Sequence, residues 1–152
     1  GDAVYVYYGA GPAVRFYEDD YGLVQTDYVI GACHRGSNRR YLEELDNFRG
    51  SKRLWIVMTH AFPPYRERDD ILRYLDAIGA RRDTFSVDAQ TVGARGLPAE
   101  VFLYDLSDPQ RLRQAVASSF HITGPARAHP RFTCEQGPQA MMSTASLSKA
   151  LG

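Results

Sequence analysis

The alternation of apolar and polar positions divides this chain into short strand-like runs separated by amphipathic stretches. Ala3-Val4-Tyr5-Val6-Tyr7-Tyr8 is β-branched and aromatic, as an interior strand requires, and Gly9, Gly11 and Pro12 end it abruptly at a turn leading to a helix start with Phe16 and Tyr17. Asp27-Tyr28-Val29-Ile30-Gly31-Ala32 predicts a second short strand. Asn38 then reads as the cap of a helix whose Leu42, Leu45 and Phe48 share one face, and Gly50 stops it. Leu54-Trp55-Ile56-Val57-Met58-Thr59 is continuously apolar, the pattern of a strand covered on both faces.

Past the Pro63-Pro64 break, Ile71, Leu72, Leu75 and Ile78 form a helical stripe that Gly79 ends, with Arg66, Glu67, Asp69, Asp70 and Arg73 on its polar face. Residues 84–87 and 101–104 predict two later strands able to pair antiparallel across a turn at residues 92–98. Asp108-Pro109 supplies a cap and a first-turn proline for a last helix with Leu112, Ala115, Val116 and Phe120 inward. The order β-α-β-α-β-α-β-β-α predicts an α/β fold of three layers, a mostly parallel central sheet flanked by helices, with an antiparallel pair at one edge. Residues 1–124 read as a single α/β domain. Residues 125–152, rich in Pro, Gly, Ser and Ala, read as a partly irregular extension whose last dozen residues are mobile.

Composition narrows the function classes. At 152 residues, with 44% hydrophobic and 24% charged residues, the chain suits one folded domain with a real core. Eighteen basic residues balance eighteen acidic ones, which removes the attraction a nucleic-acid binder uses, so no nucleic-acid partner is expected. Only Lys52 and Lys149 are lysines. An arginine bias of this kind arises from a GC-rich genome as readily as from anion binding, and the clusters Arg35/Arg39/Arg40 and Arg81/Arg82 bear only weakly on the choice. No apolar run approaches the ~18 residues that span a bilayer, and no signal peptide is present, so this stretch is expected to be soluble. The start at Gly1 rather than Met suggests a piece of a longer protein, part of whose function lies elsewhere.

Candidate chemistry gathers where strands end. His60 closes the strongest strand, at the end where open α/β sheets bind ligands, and reads either as a donor or base or as a loop histidine bonded to backbone. Gly9-Ala10-Gly11 between strand and helix suggests a stand-alone nucleotide- or flavin-binding enzyme domain. That fingerprint fails at its third glycine, which is Val14, and Pro12 removes an N–H that would face a phosphate. No nucleophile elbow or hydrolase triad can be assembled. Cys33-His34 lacks a second pair at metal-ligand spacing, so no metal and no cofactor are expected in this domain.

The run from Gly1 to Tyr17, the segment Asn47-Phe48-Arg49-Gly50-Ser51-Lys52-Arg53-Leu54-Trp55-Ile56-Val57-Met58-Thr59-His60 and the helix end Leu75-Asp76-Ala77-Ile78-Gly79 carry a resemblance. Over roughly residues 1–105 the chain resembles the C-terminal soluble domain of bacterial membrane glycosyltransferases of the dolichyl-phosphate-mannose protein mannosyltransferase-like family. In that family a strand of the type Gly-Asp-x-Val-Tyr-Val-Tyr-Tyr-Gly-Ala leads into Pro-Ala-x-x-x-Tyr. The resemblance implies a periplasmic, extracytoplasmic domain behind a transmembrane bundle that uses a polyprenyl-phosphate-linked sugar. The family's catalytic acids lie in that membrane part, so Glu18-Asp19-Asp20 reads as a solvated face and no residue here as catalytic.

The implied partners are the transmembrane part of the parent and a lipid-linked sugar or glycan acceptor. In an extracytoplasmic setting Cys33 and Cys134 pair readily as a disulfide, whereas in a cytosol they read as two buried thiols. The expected ligand-binding residues are Tyr8, Gly9, Gly11, Arg15 and His60, on an edge that the loop at Asp105 is expected to share. A third reading, a pure interaction module contacting a partner through surface arginines and tyrosines, shades into this one.

Overall fold

The structure is a computed structural model and describes residues 1–23, 27–87, 98–124 and 134. Helices and strands follow in the expected order: β1 Ala3–Val6, α1 Gly11–Tyr17, β2 Tyr28–Ile30, α2 Asn38–Leu45, β3 Leu54–Met58, α3 Glu67–Ile78, β4 Ala80–Val87, β5 Ala99–Asp105 and α4 Pro109–Gln114. The strands form one open, mixed sheet in the order β2-β1-β3-β5-β4. β1 pairs in parallel with both β2 and β3, and β5 pairs antiparallel with both β3 and β4. The pairings thus divide evenly, where a mostly parallel sheet was expected. The hairpin from β4 to β5 inserts its return strand beside β3, and an antiparallel strand there satisfies the same backbone groups as a parallel one.

Register sorts the side chains. Tyr5, Ile56 and Phe102 lie in line across three strands, with Leu54 and Tyr104 beside them, all buried on the face that α2 and α3 cover. The alternate residues Val4, Trp55 and Val57 point to the other face and are only half-buried. There Gly11 packs on Ile30, a Cβ on it falling 3.0 Å from Ile30 Cγ2, so α1 begins on the face opposite α2 and α3.

Several local expectations change. Glu67 and Asp70 do not lie on a solvated face of α3: both are buried. Helical spacing explains it, since positions 67, 70, 71, 74 and 78 share one stripe and the first two happen to be acidic. Ser37, not Asn38, occupies the N-cap of α2, and Asn38 is buried instead. α4 stops at Gln114 and leaves Val116 exposed, although Asp108 caps it as expected by accepting from Gln110 N at 2.8 Å. β4 starts at Ala80 because β5 supplies its partners, so a polar edge strand forms without apolar alternation. The turn at 92–97 and the extension from 125, Cys134 excepted, lie outside the described residues.

Buried polar clamps hold the segment after β5. The Arg49 guanidinium donates to Leu112 O at 2.7 Å, Ala115 O at 2.5 Å and Tyr74 Oη at 2.8 Å, and Arg39 donates to the carbonyls of Ala117 and Phe120. Asp70 accepts from Thr123 N at 2.8 Å, Thr123 Oγ1 at 2.7 Å, Gly124 N at 2.9 Å and Asn38 Nδ2 at 2.8 Å. Burial alone would raise the Asp70 pKa, but these donors outweigh it and hold the carboxyl below its ordinary value. Cys33 and Cys134 are joined by a disulfide with their Cα atoms 5.7 Å apart.

Candidate functional site

The connection from β1 to β2 runs to one side of β1 and that from β2 to β3 to the other, which makes the C-terminal ends of β1 and β3 a topological switch point. Gly9 and His60 meet there. A Cβ on Gly9 would lie 2.8 Å from Thr59 O and 3.3 Å from His60 Cβ, so only glycine lets the two strand ends approach this closely. His60 has φ 58° and Arg66 φ 54°, and these are the non-glycine residues with left-handed backbone among the described ones. Both lie on the loop joining β3 to α3. Backbone of this kind costs about 1–3 kcal/mol per residue and collects at sites where a loop has a task.

Behind this loop the first turn of α3 buries a carboxyl. Glu67 is 1% exposed and accepts hydrogen bonds from the Tyr7 hydroxyl and, at 3.3 Å, from the Tyr41 hydroxyl. Burial raises its pKa, only partly opposed by the Tyr7 bond and the charge of Arg35. Tyr7 and Tyr41 are in turn held neutral well above the ordinary tyrosine range, first by burial and then by the Glu67 charge. The Tyr41 hydroxyl also accepts from His34 N at 2.8 Å. His34 Nε2 meets Glu44 Oε1 at 2.8 Å, and the other Glu44 oxygen accepts from the Tyr5 hydroxyl at 2.8 Å. The network thus ties the end of β1, the loop after β2, α2 and the start of α3 into one polar layer.

Arg35 sits on top of this layer. Its Nε donates to the Tyr8 hydroxyl, and its Cζ lies 5.5 Å from the Tyr8 ring centroid and 5.8 Å from that of Tyr65. The loop of residues 61–63 and the start of α3 line a cavity of about 200 Å³ with Phe62, Arg66, Glu67 and Arg68 on its wall.

The residues expected at a ligand edge are therefore only partly assembled. Tyr8, Gly9 and His60 come together at the switch point, with Tyr8 buried beneath Arg35 and His60 exposed. The His60 side chain has no hydrogen-bond partner among the described residues, so the backbone-bonded alternative is not what is seen. Gly9 and Gly11 face Thr59 O and Ile30, so protein fills the space that a dinucleotide fingerprint would leave to phosphate. Arg15 is exposed on α1, where its charge acts on Tyr28 at the start of β2, away from the switch point. Asp105 is a correction: β5 runs antiparallel to β3, so its end lies beside Leu54, at the opposite edge from His60.

Sequence reasoning named Arg35 only within an arginine cluster and Glu67 only on a polar helix face, and placed neither at this edge. Glu67 carried a legible signal, one turn before Ile71 on the apolar stripe of α3; Arg35 carried only the weak one of the cluster Arg35/Arg39/Arg40, because its surroundings come from Tyr8 and Tyr65. The hydroxyls that donate to carboxylates, Ser107 to Asp105 at 2.6 Å and Thr123 to Asp70 at 2.7 Å, lie outside the set gathered around Gly9 and His60. Among the described residues no group of three or more His, Cys, Asp or Glu side chains could hold a metal ion. No helix among them is long and apolar enough to cross a membrane. The arrangement can bind a polar ligand through a guanidinium held by buried tyrosines and an exposed imidazole. No family model, curated protein or solved structure matches the chain.

Proposed function

We propose that this chain is the extracytoplasmic accessory domain of a polyprenyl-phosphate-sugar-dependent membrane glycosyltransferase, and that it positions acceptor or lipid-linked donor without itself transferring sugar. The observation that carries the reading is the switch-point edge, where a tyrosine-held guanidinium and an exposed imidazole flank a loop with two left-handed residues, with no nucleophile and base pair beside them among the described residues. Binding without catalysis is what such a set can do. The Cys33–Cys134 bridge supports an oxidising, extracytoplasmic setting. With the proposal goes the three-layer, mostly parallel reading of the architecture. In its favour, α1 begins on the face opposite α2 and α3, and β5 alone runs against the direction of the other strands.

Chemical-shift mapping of the labelled chain with a polyprenyl-phosphate-sugar headgroup analogue tests the reading. Shifts gathered at residues 7–9, 34–36 and 59–62 support it, and shifts confined to the Asp105 edge overturn the placement. A broad screen for glycosyl transfer and for ester and phosphate hydrolysis is expected to find no turnover; turnover lost on His60→Ala would refute the non-catalytic role.

A further inference from the structure

Most arginines among the described residues are spoken for. Arg39 and Arg49 hold backbone carbonyls of the segment after β5, Arg68 makes a two-point pair with Glu100, and Arg81 and Arg82 pair with Asp76 and Asp105. Arg35 differs. Only its Nε is engaged, by the Tyr8 hydroxyl, and among the described residues it makes no ion pair and neither terminal nitrogen has a hydrogen-bond partner.

This guanidinium is nevertheless held in place. The Nε bond fixes its plane, and the tyrosine rings beside it at 5.5 and 5.8 Å limit its movement. Its chain neighbours are anchored too, Cys33 by the disulfide and His34 by bonds from its backbone to Tyr41 and from its ring to Glu44. An arginine fork that is already ordered loses little entropy on binding, and its planar N–H pair matches two oxygens of one anion. The nearby carboxyl does not consume the fork: both Glu67 oxygens accept from tyrosines inside the core, whereas Arg35 is only half-buried.

We propose that Arg35 is the anion contact of the switch-point edge and takes two oxygens of a phosphate group in its free guanidinium fork. This rests on the functional reading above, in which the phosphate of a lipid-linked sugar is the anion brought to this edge. Arg35 is a binding residue and not a catalytic one.

The test is calorimetric and NMR titration of the oxidised full chain with citronellyl phosphate, inorganic phosphate and citronellol. Citronellyl phosphate is expected to shift the Arg35 Nε–H resonance and the amides of residues 34–36 and 59–61, and citronellol to shift neither. Arg35→Gln is expected to weaken citronellyl phosphate at least about tenfold, the loss of a charge-assisted bond pair. Arg35→Lys, which keeps the charge and lacks the fork, should fall between, while Arg40→Gln on the exposed start of α2 should bind as the parent does. Should Arg35→Gln not fold, Arg35→Lys alone decides, because unchanged affinity there refutes recognition by the fork. Inorganic phosphate binding as tightly as citronellyl phosphate, and equally sensitive to Arg35, keeps the site but overturns the lipid-linked source. Citronellyl phosphate bound at Gly9 and His60 with undiminished affinity in Arg35→Gln overturns this inference and leaves the functional reading standing. No binding of either phosphate at 10 mM-scale concentrations, on the order of non-specific contact, overturns both.

Discussion

Replacing Asp70 by asparagine removes one charge and one acceptor from the most heavily bonded carboxylate of the fold. Oδ2 accepts from Asn38 Nδ2 and Gly124 N, and Oδ1 from Thr123 N, Thr123 Oγ1 and Arg73 Nη1, all within 3.2 Å and with no Asp70 surface exposed. An amide keeps one acceptor oxygen. Its best orientation faces Asn38 and Gly124 with that oxygen and lets the Thr123 hydroxyl turn to accept from the new NH₂, which leaves Thr123 N without an acceptor. An orphaned N–H costs about 1–3 kcal/mol, and weakening the remaining bonds from charge-assisted to neutral adds about 1–2 kcal/mol. The sum, about 3 kcal/mol, is a large share of the about 5–15 kcal/mol by which domains of this kind are stable.

The pH dependence has a definite sign. Because the folded Asp70 pKa is depressed, its contribution is present above the unfolded value of about 3.9 and is lost as pH falls through the lower folded value. Urea unfolding followed by the fluorescence of Trp55, the single tryptophan, reads both quantities. Asp70→Asn is expected to lower stability by about 3 kcal/mol at pH 7, with the gap to the parent closing below about pH 4. A loss under about 1 kcal/mol, or a gap unchanged at pH 2, would refute the assignment of Asp70 as an ionised anchor of residues 123–124.

Three further outcomes are expected. Mass spectrometry of unreduced protein should find Cys33 joined to Cys134, and since the bridge spans 101 residues, its reduction should cost up to about 4.7 kcal/mol in the same urea assay. Spectrophotometric titration of the ten tyrosines should leave Tyr5, Tyr7 and Tyr41 protonated until the fold opens, because burial raises all three, and their share of stability should be complete below about pH 10 and lost above it; early ionisation of all ten would contradict the buried network. Gly9→Ala forces a methyl to 2.8 Å from the Thr59 carbonyl, so it should destabilise by about 1–3 kcal/mol and perturb the amides of Thr59 and His60; an unperturbed spectrum would mean that the strand ends are not in contact.

Short-range pattern and long-range partnership divide what could be known from the chain alone. Val4 to Val6 and Leu54 to Met58 form strands, as their length and their β-branched and aromatic character favour, and Asp108-Pro109 starts a helix by its own geometry. The order of elements, and with it the α/β class, followed from such local facts. Direction did not: β5 reads the same whether it runs with β3 or against it, and only its place between β3 and β4, antiparallel to both, turned Asp105 to the far edge. Nor did the polar positions of α3, where Glu67 and Asp70 have the composition of a solvated face and the spacing of a buried one. Their hydroxyl and amide partners stand up to 60 residues away, as Tyr7 does from Glu67. The same holds for Arg35, one of many arginines until Tyr8 and Tyr65 close on either side of it. Whether a charge is solvated, paired or left with a free fork depends on which groups the chain brings back to it, and that is decided by packing rather than by neighbours in sequence.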